Sequence, residues 1–192
     1  MTRLTVECLV DLLWQAPPDG EWSPKVEAID GSLFRDWMRS SDIEVLGFLF
    51  ATIGERRLRI EPPLDTQEYV AFAKMYLGRC FKENPGGEWS DSSYSAGWNL
   101  VGIFCHLLDN DAPQEVLADL KNWLALVYRE GDQALRTCIE NASLEHLFER
   151  KDFRNFFSNW KNDPILKRAY ENARLWVDGG GHSLLSRDRT ET

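Results

Sequence analysis

The sequence predicts a mostly α-helical fold, an irregular compact multi-helix bundle with one short strand near 56–60. Apolar residues recur at three- and four-residue spacing through most of the chain beyond Asp65. The segments marked this way are separated by short polar or Pro/Gly-bearing stretches, the lengths that antiparallel helix neighbours require. Composition agrees, with 43% hydrophobic and 28% charged residues in 192, an ordinary globular mixture long enough to bury roughly 70% of its unfolded surface. Residues 1–177 read as a single helical domain, with an N-terminal element over 1–60 packed on a helical core over 64–177. A flexible tail is expected over 178–192.

Leu4, Cys8, Leu9, Leu12 and Leu13 share one helical stripe in LTVECLVDLLWQ, although Leu4 to Val6 would also start a strand. Between Ala16 and Gly31, three prolines and two glycines read as a long surface connection. Leu33–Arg39 and Ile43–Ile53 follow as two short apolar helices separated by Ser40-Ser41-Asp42, an N-capping cluster. RRLRI at 56–60 alternates as a short strand does, and Pro62-Pro63 stops regular structure.

Asp65 or Thr66 caps the next helix, whose broad apolar face runs through Tyr69, Val70, Phe72, Ala73, Tyr76, Leu77, Cys80 and Phe81 until Pro85-Gly86-Gly87. A helix from Asp91–Ser93 to Leu108 follows, with Trp98, Val101, Gly102, Cys105 and Leu108 on one side and Leu100, Phe104 and Leu107 beside them. It is apolar around most of its circumference and is expected to be central. Pro113 suits a first helical turn, and Val116, Leu117, Leu120, Trp123, Leu124 and Val127 repeat at helical spacing until Gly131. Leu135, Cys138 and Ile139 mark another helix. Ser143 is expected to cap the one after, with Leu144, Leu147 and Phe148 inward. Phe153, Phe156, Phe157 and Trp160 come next. Asp163-Pro164 then opens a last helix carrying Leu166, Ala169, Tyr170, Ala173 and Trp176 inward, and Gly179-Gly180-Gly181 ends it. No tetratricopeptide-like signature recurs at constant period.

Thirty-one acids against twenty-two bases leave a net charge of -9. Such a surface repels phosphate backbones and anionic headgroups, and the one basic cluster, Arg56, Arg57 and Arg59, is short. Direct nucleic-acid binding is therefore disfavoured, and a basic protein partner is favoured by long-range attraction. Eight tryptophans mean either heavy packing or a binding surface. Cys8, Cys80, Cys105 and Cys138 lie far apart in apolar helical contexts, as free buried thiols do. The N-terminus lacks a signal pattern and no apolar run reaches the ~20 residues that span a bilayer. The expectation is a cytoplasmic protein without a membrane anchor.

No complete catalytic or metal set emerges. His146 and Glu149 share a helical face, and Cys105-His106 lies near Asp109 and Asp111, yet neither group closes a ligand set, so no metal or cofactor is expected. Ser-Tyr-Ser-Ala-Gly at 93–97 lacks the first glycine of a nucleophile elbow and follows no strand. The balance leans against an enzyme. Within ENPGGEWSDSSYSAGWNLV, the Pro-Gly-Gly turn, the capping acids and the apolar helix start have local roles, which leaves Glu88, Trp89 and Tyr94 without one. Acids also flank both ends of the central helix. The expected partner-binding residues are Glu88, Trp89, Asp91, Tyr94, Asp109 and Asp111. The alternative is an enzyme or ligand-binding bundle with a pocket near Tyr94, Trp98 and His106.

The run from RIEPPL through ENPGGEWSDSSYSAGWNLV to LEHLFE and WKNDPILKRAYENA, covering 58–176, resembles a family of small, uncharacterised bacterial helical proteins. The resemblance implies a bacterial or phage cytoplasmic setting and one helical domain, and it carries no catalytic residue. Small acidic helical proteins of that setting include inhibitors and immunity partners of toxins, nucleases and defence enzymes, which makes a non-enzymatic protein-binding role the expected function.

Overall fold

Helices dominate the computed structural model, which describes residues 4–15, 22–54 and 58–179; its strands are short and form two small sheets. The chain divides into two compact units, Met1–Ser92 and Ser93–Thr192. The expected tail is outside the described residues from 180 onward, as are Arg56 and Arg57.

In the first unit, α1 (Val6–Leu13) starts at Thr5, whose hydroxyl oxygen accepts the Cys8 N–H at 3.4 Å. Only Leu9 and Leu13 of the expected stripe are buried. Leu12 is 49% exposed and Cys8 is exposed, because a two-turn helix rests on its neighbours along a narrow line. β1 (Trp14–Gln15) pairs antiparallel with β2 (Ser23–Pro24), and β3 (Ala28–Asp30) pairs parallel with β4 (Arg59–Glu61). The stretch read as a surface connection thus contains two strands and the buried Ile29. Its proline is tolerated because a two-stranded ribbon is all edge. Residues 16–21 of that stretch lie outside the description, as do 56 and 57 of the strand expected near 56–60; β4 supplies its second half and ends one residue later, at Glu61.

α2 (Gly31–Trp37) begins where Asp30 Oδ1 accepts the Leu33 N–H at 2.9 Å, and α3 (Ile43–Gly54) where Asp42 Oδ1 accepts the Glu44 N–H at 3.1 Å. α4 (Thr66–Glu83) carries a complete capping box between Asp65 and Glu68. It stops one residue before the expected Pro-Gly-Gly, at Asn84, which adopts the left-handed conformation at φ 45° and returns its N–H to the Cys80 carbonyl. Arg35 ties α2 to α4 by two bonds to the Glu68 carboxylate, at 2.6 and 2.7 Å, and donates to the Pro63 carbonyl at 3.1 Å. The guanidinium pulls the Glu68 carboxyl down to about 2.

In the second unit, α5 (Ser93–Asp109) buries Ala96, Gly97, Leu100, Val101, Ile103, Phe104 and Leu107. The expected side is rotated: Gly102 is exposed, while Trp98, Cys105 and Leu108 are half-buried. The rotation follows the approach of a second backbone at Gly97. α6 (Gln114–Glu130) takes Pro113 as its N-cap rather than in its first turn, and Gly131 caps its end. α7 (Gln133–Ile139) continues through a wide π-type turn, Glu140–Leu144, into α8 (Glu145–Phe148).

Ser143 is therefore not a cap. It sits fully buried inside that wide turn and donates its hydroxyl to the Gly97 carbonyl at 3.1 Å. α9 (Lys151–Phe156), a 3₁₀ turn (Ser158–Asn162) and α10 (Leu166–Asp178) complete the unit, with Asp163 Oδ1 accepting the N–H groups of Ile165 and Leu166. Phe104, Phe148, Phe157, Trp160 and Tyr170 pack by edge-on or tilted ring contacts at 4.9–5.9 Å. Among the described residues no helix is long and apolar enough to cross a membrane. Only one of the four free cysteines, Cys80, is fully buried.

A Cβ at Gly97 would meet Ala142 Cβ at 2.5 Å and Ser143 Oγ at 3.0 Å, whereas one at Gly102 would meet nothing within 4 Å. Gly97→Ala is expected to cost about 1–3 kcal/mol by overpacking. Gly102→Ala should be neutral or add about 0.5–1 kcal/mol by restricting the unfolded chain. Urea titration of the two variants checks the contrast.

Candidate functional site

The segment between α4 and α5 is irregular, so its backbone amides need partners from elsewhere. Glu44, in the first turn of α3, provides them: one carboxylate oxygen accepts the Trp89 N–H at 2.9 Å and the other accepts the Ser90 hydroxyl. Ser90 Oγ in turn accepts the Gly87 N–H at 3.1 Å. Tyr76 of α4 holds the next residue twice, its hydroxyl accepting the Asp91 N–H at 2.9 Å and donating to Asp91 Oδ2 at 3.0 Å. Burial, with the adjacent Asp91 charge, pushes the Tyr76 phenol far above its usual range, so it remains a neutral donor. Gly47 completes the fit, since any Cβ there would collide with the Trp89 carbonyl.

Held in this way, the Trp89 indole meets Phe48 edge-on, with centroids 5.0 Å apart and planes at 74°. Beside it opens a cavity of about 390 Å³ lined by Val10, Trp14, Trp22, Phe48, Ala51, Thr52, Glu88 and Trp89. Trp22 and Trp89 remain 50% and 38% exposed. Thr52 donates its hydroxyl to the Phe48 carbonyl at 2.8 Å, an internal helix bond. Among the described residues Glu88 is the only titratable one that lines it, and nothing among them pairs with its carboxylate.

Of the six expected partner-binding residues, the structure brings Glu88 and Trp89 together at this cavity. Asp91 belongs to the same segment but is engaged by Tyr76. The other three are in the second unit. Tyr94, 48% exposed, stands in the first turn of α5, about 22 Å along the helix from Asp109 at its end. Asp109 is paired with Arg150 at 2.9 Å, and Asp111 occupies a left-handed position just past the helix. The trio of the alternative reading all lies on α5, with Tyr94 and Trp98 one turn apart. Trp98 stacks on His146 at 4.0 Å, whereas the exposed His106 has Asn110 Nδ2 3.2 Å from its Nδ1.

Reading the sequence missed Val10, Trp14, Trp22 and Phe48 as site residues. Trp14 and Trp22 are brought to one place by a strand pairing that the prolines of 16–31 concealed. The signal available was the position of three of the eight tryptophans, Trp14 at the close of the first helical stripe and Trp22 and Trp89 in Pro/Gly-bearing stretches.

The second unit holds a different polar group. Glu140, buried in the wide turn, accepts the Tyr128 hydroxyl at 2.5 Å and the Asn172 amide at 2.8 Å. One π-type turn later, burial and the neighbouring Glu140 charge push the Glu145 carboxyl up to about 7. His146 is buried between Trp98 and Trp176, with Nδ1 3.2 Å from Glu149 Oε1. Among the described residues no cluster of three or more His, Cys, Asp and Glu is placed to hold a metal ion.

Comparison of the chain with protein-family models, curated proteins and solved structures finds no match.

Two measurements follow from these contacts. Glu44→Ala removes both acceptors of the 89–90 backbone and side chain, and should cost about 1–3 kcal/mol while red-shifting tryptophan emission as the Trp89 segment loosens. The folded chain holds the Glu145 proton more tightly than the unfolded chain does. Its stabilising contribution is therefore complete below about pH 4.5 and is lost as pH rises through about 7. Thermal melts should show Glu145→Gln to be more stable than the parent at about pH 8, with the gap closing at about pH 4.

Proposed function

We propose that the chain is a non-enzymatic protein-binding domain of cytoplasmic setting, acting as an inhibitor or immunity-type partner that neutralises a basic protein such as a toxin, nuclease or defence enzyme. The observation that carries this reading is the open aromatic cavity of the first unit, where two half-exposed indoles and an unpaired carboxylate converge. Partly exposed tryptophan around a concave apolar surface is the composition of an interface centre, where aromatic anchors supply most of the binding energy. The remaining described lining is Val10, Trp14, Phe48, Ala51 and Thr52, whose hydroxyl is already used. Acid-base or nucleophilic chemistry needs at least two converging reactive groups, and one carboxylate does not supply them.

Charge supports the kind of partner. Residues 1–92 contain sixteen acids and ten bases, so -6 of the total -9 falls in the unit that bears the cavity. That field attracts a basic surface over about a Debye length and disfavours nucleic acid.

Affinity capture from host lysate on the immobilised full chain tests the proposal. A basic protein should be retained, its complex should weaken as salt rises from about 0.05 to 0.5 M, and Trp89→Ala should reduce capture about tenfold. Retention that ignores both salt and Trp89→Ala, or no retained protein at all, would overturn it.

A further inference from the structure

We propose that the cavity of the first unit is an aromatic receptor for one cationic side chain, an arginine on the partner's surface. This assignment rests on the protein-binding reading and specifies its central contact. Trp14, Trp22, Trp89 and Phe48 surround the space, and indole is the ring whose electron-rich face attracts a cation most strongly. The carboxylate that borders it, Glu88, has no pairing partner among the described residues, so it offers a charge for a guest to neutralise. An apolar guest would bury the indoles equally well but would leave the exposed Glu88 carboxylate without a partner, whereas a cation seated on the indoles can pair with it as well.

Guanidinium fits this arrangement better than ammonium. Its planar face stacks on indole, its weaker hydration lowers the cost of leaving water, and its edge still presents N–H donors to a carboxylate. At about 390 Å³ the space also exceeds what a compact ammonium head fills and admits a long side chain with its methylene stem against Val10 and Ala51. The -6 charge of the unit adds a long-range term of the same sign.

The test uses the full chain labelled with ¹⁵N and titrated with N-acetyl-arginine-N-methylamide while indole N–H resonances are followed, Trp14, Trp22 and Trp89 being assigned by single Trp→Phe variants. Saturable shifts confined to those three indoles are expected. The neutral isostere citrulline methylamide should bind about tenfold more weakly, the lysine analogue should fall between them, and Glu88→Gln should weaken the arginine probe several-fold. Equal response to citrulline or to the leucine analogue would overturn the assignment in favour of an apolar guest, and so would the absence of any saturable shift. The citrulline comparison needs no variant, so it stands even if a substitution disturbs folding. Capture of a basic protein through Trp89 without arginine preference would overturn this inference alone. Arginine-probe binding with no protein captured would instead overturn the protein-binding reading.

Discussion

The site in the first unit depends on one carboxylate. Glu44 stands at the start of α3, forty-five residues before the Trp89 amide that it accepts, and through the Ser90 hydroxyl it also steadies the turn beginning at Gly87. A segment without secondary structure has no internal acceptors for its N–H groups, and an unsatisfied amide against a helix is expensive. Glu44 removes that cost at the point where the chain must bend. The absence of a side chain at Gly47 lets the Trp89 carbonyl lie against α3. The indole is thereby delivered to Phe48, and the cavity wall follows from the two contacts.

Tyr76 serves the other end of the same segment. Its hydroxyl is both donor and acceptor to Asp91, and burial keeps it protonated, so the pair acts as a hinge pin rather than a titrating group. Asp91 thus has a structural occupation, whereas Glu88, three residues earlier on the open side, does not. This division of labour turns a dense stretch of polar and aromatic residues into a support and a presented surface. The proposed role in binding belongs to the presented part.

The second unit solves a related problem with a wide turn instead of a loop. Glu140 and Ser143 enter the interior there, and each finds a partner from another element: Tyr128 and Asn172 for the carboxylate, the Gly97 carbonyl for the hydroxyl. A buried carboxylate satisfied by two donors is first a structural connector. Glu145, one turn away, bears the electrostatic consequence, since a second charge beside the first is disfavoured. Periodicity marked Leu144, Leu147 and Phe148 as inward, and they are buried. It assigned Ser143 to a cap because serine at a helix start is the commoner use, and sequence spacing contains no sign of the extra residue that widens a turn.

Local chemistry in the sequence was sufficient for the helices of α4, α6 and α10, because their apolar spacing and the capping residues Asp65, Gly131 and Asp163 act over only a few residues. The mostly α class and the strand near 59 were legible for the same reason, whereas Glu88 and Trp89 stood out in the sequence only as residues without a local role. The rest required contacts between distant segments. Which side of α5 turns inward was decided by a backbone approaching Gly97, and the cavity was assembled when a strand pairing and Glu44 brought Trp14, Trp22 and Trp89 to α3. Sequence alone determined the short-range hydrogen bonds and the hydrophobic periods. The tertiary structure decided which side chains share a space, because that depends on chain crossings that no local pattern encodes.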